Sequence, residues 1–269
     1  MKTVLLATIS FFTVGVNCWG QKTASTKAGV TVLLAKLHST EESEREEAFE
    51  QLLSDPANLK SPAVQAALLE LLDRERQKLD SDLLEAQKKG YPDEGDNSEW
   101  GEYYSDLLGV VDSFANWNDP RQACILVDAN PSDDSDFAAE IADHAKVTVP
   151  CLITRSNSAV SMIRAVAVPV LVQALTKASD TPDAKTIQTA KNIISAALQD
   201  SSDGVRAFTV HALGKFGSQD MIPALKKVAE TDPAPEEDGH SIRKQAADAV
   251  AAIEERTNKG REREVHSQS

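Results

Sequence analysis

The sequence predicts an all-α protein, a solenoid of helical hairpins stacked antiparallel on one another. Three observations predict it. Ala, Leu, Lys, Glu and Gln dominate, aromatics make up only 5% of the chain, and no stretch alternates convincingly enough to be a strand. Apolar residues recur instead at helical spacing, in short runs closed by breaks rich in Pro, Gly, Ser or Asp. Two short patterns also return along the second half of the chain: an aliphatic residue before Pro-x-Leu, and an aliphatic residue before Arg. Short helices, short connections and internal repetition together describe stacked hairpins, roughly five of them.

The first twenty residues stand apart. Met1-Lys2 gives a positive start, and Val4 to Val16 is an apolar run broken only by Thr, Ser and Gly. Asn17-Cys18-Trp19-Gly20 then places a cut between Gly20 and Gln21, which is the build of a secretory signal peptide. The run is too short to span a bilayer, which takes about 20 apolar residues. Gly15-Val16-Asn17 lacks the aliphatic-small-small pattern that would precede a lipid-anchored Cys18. The mature chain is therefore expected to start at Gln21, to be exported to a periplasmic or extracellular setting, and to carry no transmembrane segment.

Helices follow in order. Ser39-Thr-Glu-Glu-Ser opens one through Leu53, with Ala48, Phe49, Leu52 and Leu53 on one face, and Ser54-Asp-Pro-Ala-Asn breaks it. Ser61-Pro62 is an N-cap with proline at the first helical position, and the helix it opens runs through Leu83 or beyond. Lys88 to Ser98 is a loop by every marker. Helices are predicted from Glu99 to Ala115, Asp119 to Val127, Asp134 to His144, Val147 to Thr154 and Ala159 to Lys177. The last four run from Pro182 to Gln199, Gly204 to Phe216, Gln219 to Ala229 and Ser241 to Arg256. Thr257 to Ser269 is charged and polar, and reads as a loose tail.

The internal echoes can be set side by side. Val149-Pro150-Cys151-Leu152, Val168-Pro169-Val170-Leu171 and Ile222-Pro223-Ala224-Leu225 share one pattern. Val205-Arg206 with Ala212-Leu213, and Ile242-Arg243 with Ala249-Val250, share the other. Over residues 203–253 the two alternate, and Asp203, Val205, Arg206, Ala212-Leu213-Gly214, Gly217 and Pro223-x-Leu225 fall into one register. This stretch resembles HEAT repeats, in particular the short variety also found in phycobilisome lyase-like proteins. The resemblance implies HEAT-like repeats over residues 147–256, with 21–146 either diverged repeats or an N-terminal helical cap. It also implies that Arg206 and Asp203 belong to a structural ladder between repeats. The loop Pro233 to His240 is longer than the pattern, and Ser241 replaces its usual acidic residue, so the stacking register is expected to weaken there. Without the family, arginine still suits such a role, because its planar fork matches a carboxylate and its high pKa makes it a poor proton shuttle.

Candidate chemistry is sparse. The five histidines are scattered, with no His-Glu-x-x-His pair to place two metal ligands on one helical turn. There is no Gly-x-Ser-x-Gly elbow and no Gly-rich phosphate loop, so neither a catalytic residue nor a cofactor is assigned. Asp128 to Glu140 imitates a calcium loop at alternate positions, but Asp133 replaces the turn glycine and Glu140 comes one place late. No metal is assigned there, since an ordinary capped turn explains the same residues.

The net charge of -14 excludes the basic footprint of a nucleic-acid binder. Between Asp93 and Asp143 fourteen acids face a single base, Arg121. That segment is either a solvated face or a docking surface for a cationic partner, with Asp133, Asp134 and Asp136 as its candidate residues. Cys124 and Cys151 remain in the mature chain. They sit on helices expected to lie side by side, where they either pair as a disulfide or pack as ordinary buried residues. The predicted role is a non-enzymatic scaffold that binds a protein or other macromolecule. The competing readings are a lyase-like or cofactor-handling protein, which the family resemblance suggests, and a purely structural envelope component.

Overall fold

Breaks in hydrophobic periodicity set where the helices stop, and the computed structural model follows most of them. It describes residues 27–90, 102–130, 135–235 and 241–267; the expected signal peptide lies outside these. Among the described residues there are twelve α-helices, two single 3-10 turns (Asn58–Lys60 and Gln219–Met221) and no strand. The first six helices are α1 (Lys27–Lys36), α2 (Glu42–Leu53), α3 (Pro62–Lys88), α4 (Glu102–Asp112), α5 (Pro120–Ala129) and α6 (Ser135–Asp143). The rest are α7 (Ala145–Arg155), α8 (Ser161–Lys177), α9 (Ala184–Ala197), α10 (Asp203–Phe216), α11 (Ile222–Thr231) and α12 (Ile242–Ser267).

Local chemistry explains several of the starts. Asp119 caps α5 by accepting from the backbone N–H groups of Arg121 and Gln122, and Asp183 does the same for Lys185 and Thr186 at α9. Ser202 caps α10 through the N–H of Val205. Ser61 sits at the N-cap of α3 with extended backbone, but its side chain makes no capping bond; Pro62 behind it sets the helical φ. Helix α8 depends on a distant residue. Gln87, near the end of α3, accepts from the backbone N–H and hydroxyl of Ser161 and donates to the Ala159 carbonyl.

The helices stack in two ranks. In one, α6 packs on α8, α8 on α10 and α10 on α12; in the other, α5 packs on α7 and α7 on α9. One apolar core runs the length of the array, from Leu33 to Ile253. Helix α8 is apolar on nearly every side because it is walled in by α6, α7, α9 and α10. The fold is thus the all-α solenoid predicted. Close approach between α10 and α12 depends on small residues: a Cβ at Gly214 would sit 3.3 Å from that of Ala249.

Four details differ from the sequence reading. Helix α1 has no counterpart among the predicted helices: it has no acid in its first turn and includes Val30-Thr31-Val32, and packing against α2 supplies what propensity does not. The residues expected to form a loose tail continue α12 to Ser267, where pairs such as Glu255–Lys259 one turn apart support an exposed helix. The three Pro-x-Leu echoes are not equivalent. Pro223 lies in the first turn of α11, where its missing N–H costs nothing, whereas Pro150 and Pro169 lie inside α7 and α8. Finally, the long loop before α12 does not weaken the stack, since α12 packs broadly on both α10 and α11.

Candidate functional site

Three helices carry an arginine at their fourth position, and all three use it in the same way. In α10, Arg206 extends Nη1 back to the carbonyls of Asp200 and Ser201 (2.8 and 3.4 Å), while Nε and Nη2 fork onto the Asp232 carboxylate at 2.7 and 3.2 Å. In α8, Arg164 donates to the Ser158 and Ala159 carbonyls (2.8 and 3.2 Å) and forks onto Asp200 at 2.8 Å from each nitrogen. In α2, Arg45 donates to the Ser39 and Thr40 carbonyls (3.2 and 3.0 Å) and forks onto Glu75 at 2.6 and 3.2 Å. Each guanidinium thus clamps the turn before its own helix and a carboxylate from a later element.

The C-terminal rungs join into a continuous ladder. Asp200 accepts the Arg164 fork with its carboxylate and the Arg206 Nη1 with its carbonyl. Asp232 accepts the Arg206 fork with its carboxylate, and its carbonyl accepts from Arg243 Nε at 2.7 Å. The two aspartates also share a local turn, accepting from the N–H two residues on, Ser202 and Ala234, both at 2.9 Å. Burial alone would push both carboxyls up. The arginine bonds and these N–H groups override it and hold both below the ordinary carboxylate range. This places Arg206 in a ladder between repeats, as the resemblance implies, but leaves the Asp203 carboxylate out of its hydrogen bonds. Asp203, three residues away on the same helix, accepts from the neighbouring Gly204 N–H at 2.9 Å instead, at the positive end of α10. The Arg45–Glu75 rung repeats the device outside the region of sequence resemblance, in residues read as diverged repeats or a cap.

A second ionic cluster joins α3, α5 and α7. Arg76 donates to Asp73 and Asp80 at 2.7 and 3.1 Å. Arg155 reaches both oxygens of Asp80, Nη2 at 2.8 Å from Oδ1. Asp128 of α5 lies 3.9 Å from Arg76. Burial pushes the Asp128 carboxyl up, Arg155 and Arg76 oppose the shift, and Asp80 and Asp73 add to it. Tyr104 closes the inner side, its hydroxyl donating to the Ala129 carbonyl at 2.9 Å; burial raises this phenol too.

Beside this cluster a groove of about 800 Å³ runs between α5 and α7. Cys124 and Cys151 line it and are joined as a disulfide, with Cα atoms 5.2 Å apart, inside the usual 4.4–6.8 Å for such a bond.

Of the three candidate acids, Asp133 and Asp134 lie outside the described residues, and Asp136 falls in the first turn of α6. Other acids of the same segment work within the fold. Asp112 accepts from Trp117 Nε1 at 3.1 Å, Asp119 caps α5, and Asp128 belongs to the ionic cluster. His144 stacks on Trp117, ring centroids 5.9 Å apart, and neighbours Glu140. Among the described residues no group of three or more His, Cys, Asp or Glu is placed to hold a metal. Sequence reasoning missed Arg45, Glu75, Arg164, Asp200 and Asp232. The signal that could have found them is an arginine at the fourth helical position after a polar turn.

Stacked helical pairs clamped at regular positions by arginine define an α-solenoid. Residues 190–260 match the family model described as HEAT repeats, repeats that often mediate protein interactions. No curated protein matches the chain in sequence. Among solved structures, the crystal structure of an engineered protein from the Northeast Structural Genomics Consortium is similar at 16% identity and a TM-score of 0.37, covering 84% of this chain and 96% of that one. At that score the likeness says nothing about how this chain works.

Proposed function

We propose that the protein is an exported, non-enzymatic scaffold that binds another protein through its solenoid surface, and that the partner is cationic. The observation that carries this is the division of charge along the array. Residues 21–154 hold twenty-seven acids and twelve bases, whereas residues 155–269 hold fifteen of each. The neutral half uses arginine–aspartate pairs to build its ladder, and the acid excess falls entirely on the other half. An excess of one sign on one end of an elongated surface steers oppositely charged partners and speeds their encounter. The ladder arginines are engaged on carboxylates and carbonyls, so they support shape rather than proton transfer.

Export is supported by the N-terminal sequence alone and by the compatibility of a disulfide with an oxidising compartment. Affinity capture of the partner by the exported chain tests the reading, with association then measured across ionic strength. Attraction between exposed charges is screened within about 10 Å at 0.1 M salt, so binding should fall steeply as salt rises. Association indifferent to salt would remove the cationic partner, and association unchanged after Asp133, Asp134 and Asp136 are replaced by Asn would remove those three acids as its contact.

A further inference from the structure

We propose that the groove between α5 and α7 docks an extended segment of the partner protein, which sets a Lys or Arg against Asp128 and, two residues away, an apolar side chain on the Cys124–Cys151 disulfide. This rests on the protein-binding reading above and names the place and chemistry of the contact.

The charge count in the ionic cluster is the starting point. Three carboxylates, Asp73, Asp80 and Asp128, share two guanidinium groups. Arg155 gives both terminal nitrogens to Asp80, and Arg76 gives its hydrogen bonds to Asp73 and Asp80. Asp128 is left with a guanidinium nitrogen at 3.9 Å, beyond hydrogen-bonding range. Its side chain is only 24% exposed, and the face it exposes lines the groove. A largely buried carboxylate without a hydrogen-bonded cation is costly, and burial accordingly raises its pKa. A cation arriving along the groove supplies the missing charge.

The rest of the groove fits a peptide better than a lone amine. Its floor is apolar, made by the disulfide, Val147 and Pro150. Asp128 lies four residues beyond Cys124 on α5, a rise of about 6 Å, and an extended chain repeats its face every two residues, about 6.6 Å. Pro150 has no N–H, so the Lys146 carbonyl one turn earlier loses its helical donor, and Lys146 lines the groove. At the far end the Lys146 backbone N–H donates to the Asp180 carboxylate at 2.9 Å, and both residues line the groove.

The test uses the exported, oxidised chain and a fluorescein-labelled peptide, Gly-Ser-Arg-Ser-Leu-Gly, followed by anisotropy at low salt. A second peptide carries Glu in place of Arg. The Arg peptide should bind, and the Glu peptide should bind at least about tenfold more weakly, the equivalent of one lost charge-assisted hydrogen bond. Asp128→Asn should weaken the Arg peptide by a similar factor. Thr154→Arg, which delivers a guanidinium into the groove from the chain itself, should abolish binding; unchanged helical circular dichroism establishes that both variants fold. Equal affinity for the two peptides, undiminished binding to both variants, or no binding at millimolar peptide would each overturn the proposal. Salt-sensitive capture of the native partner by a chain carrying both substitutions would sink the groove and leave the scaffold role standing. Failure of the unaltered chain to capture any partner sinks the role itself.

Discussion

Replacing Arg206 with Ala removes the guanidinium that ties α10 to the end of α11. Arg206 and Asp232 are 5% and 3% exposed, so the pair is buried, and solvent does little to screen it. The substitution deletes the fork onto Asp232 and the bonds to the Asp200 and Ser201 carbonyls. It leaves the Asp232 carboxylate with the Ala234 N–H at 2.9 Å. Breaking one side of a buried ion pair costs about 3–5 kcal/mol, a large share of the roughly 5–15 kcal/mol that holds a domain folded. Urea unfolding followed by circular dichroism measures the loss. Arg206→Ala, Asp232→Ala and the double variant close a cycle, and the double variant should cost less than the sum of the singles by about 1–3 kcal/mol. Arg206→Lys keeps the charge but not the fork, and should fall between wild type and Ala.

The same pair predicts an acid limb. Asp200 and Asp232 have depressed pKa values in the folded chain, so on acidification the unfolded chain takes up these protons first. Their contribution is complete above about pH 5 and is lost as pH falls through the folded values. Arg206→Ala should flatten that limb. A cost under about 1 kcal/mol, which is the range of exposed pairs, or strictly additive singles, would refute the ladder as the element that holds the repeats together.

Three further outcomes are expected. Gly217→Ala places a Cβ 2.5 Å from the Leu213 carbonyl oxygen and 3.1 Å from Ile253 Cδ1, and overpacking of this kind should cost about 1–3 kcal/mol; an unchanged urea midpoint would contradict the α10–α12 contact. Gln87→Ala should cost about 1–2 kcal/mol by uncapping α8 from a distance of 74 residues, with amide exchange at Ser161 rising first, and exchange unaffected there would show the cap to be idle. Natively exported, unreduced protein should yield no alkylated cysteine under denaturing conditions. Reduction should then destabilise it by about 3.5 kcal/mol, given a sequence separation of 27 residues. Two alkylated thiols in the unreduced protein would end that expectation.

What the sequence made legible was what depends on near neighbours. Helical periodicity, the Asp119 cap, the Pro62 start and the break after Lys88 are encoded within a few residues, and each appears where the pattern places it. The Ala-Leu-Gly middle of α10 was readable as a close-packing surface, and Gly214 does approach Ala249. Partners set by stacking were not readable. The resemblance places Arg206 in a ladder without naming its carboxylate, which comes from Asp232, 26 residues on. Arg45 was hidden among the glutamates of Glu41 to Glu50, any of which could have been its partner; the one it takes, Glu75, is on the next helix. The groove was equally hidden, because Pro150 looks the same in sequence whether it opens a helix, as Pro223 does, or lies within one.

The ladder also accounts for why a loop longer than the repeat pattern does not disturb the array. Between Asp200 and Arg206 the clamp closes over six residues, and between Asp232 and Arg243 it closes over eleven. Lengthening a flexible loop by less than a factor of two costs only about 0.6 kcal/mol of closure entropy. Removing one partner of the buried Arg206–Asp232 fork, where the loop begins, costs several times that. The register is therefore set at the two ends of the loop, by an aspartate that leaves one helix and an arginine that enters the next. Within the loop, Ala234 packs against the core and its N–H holds the Asp232 carboxylate at 2.9 Å. Insertions there should be tolerated while Arg243 still reaches the Asp232 carbonyl, whereas substitution of Asp232, whose carboxylate takes the Arg206 fork, should loosen α10 from the end of α11.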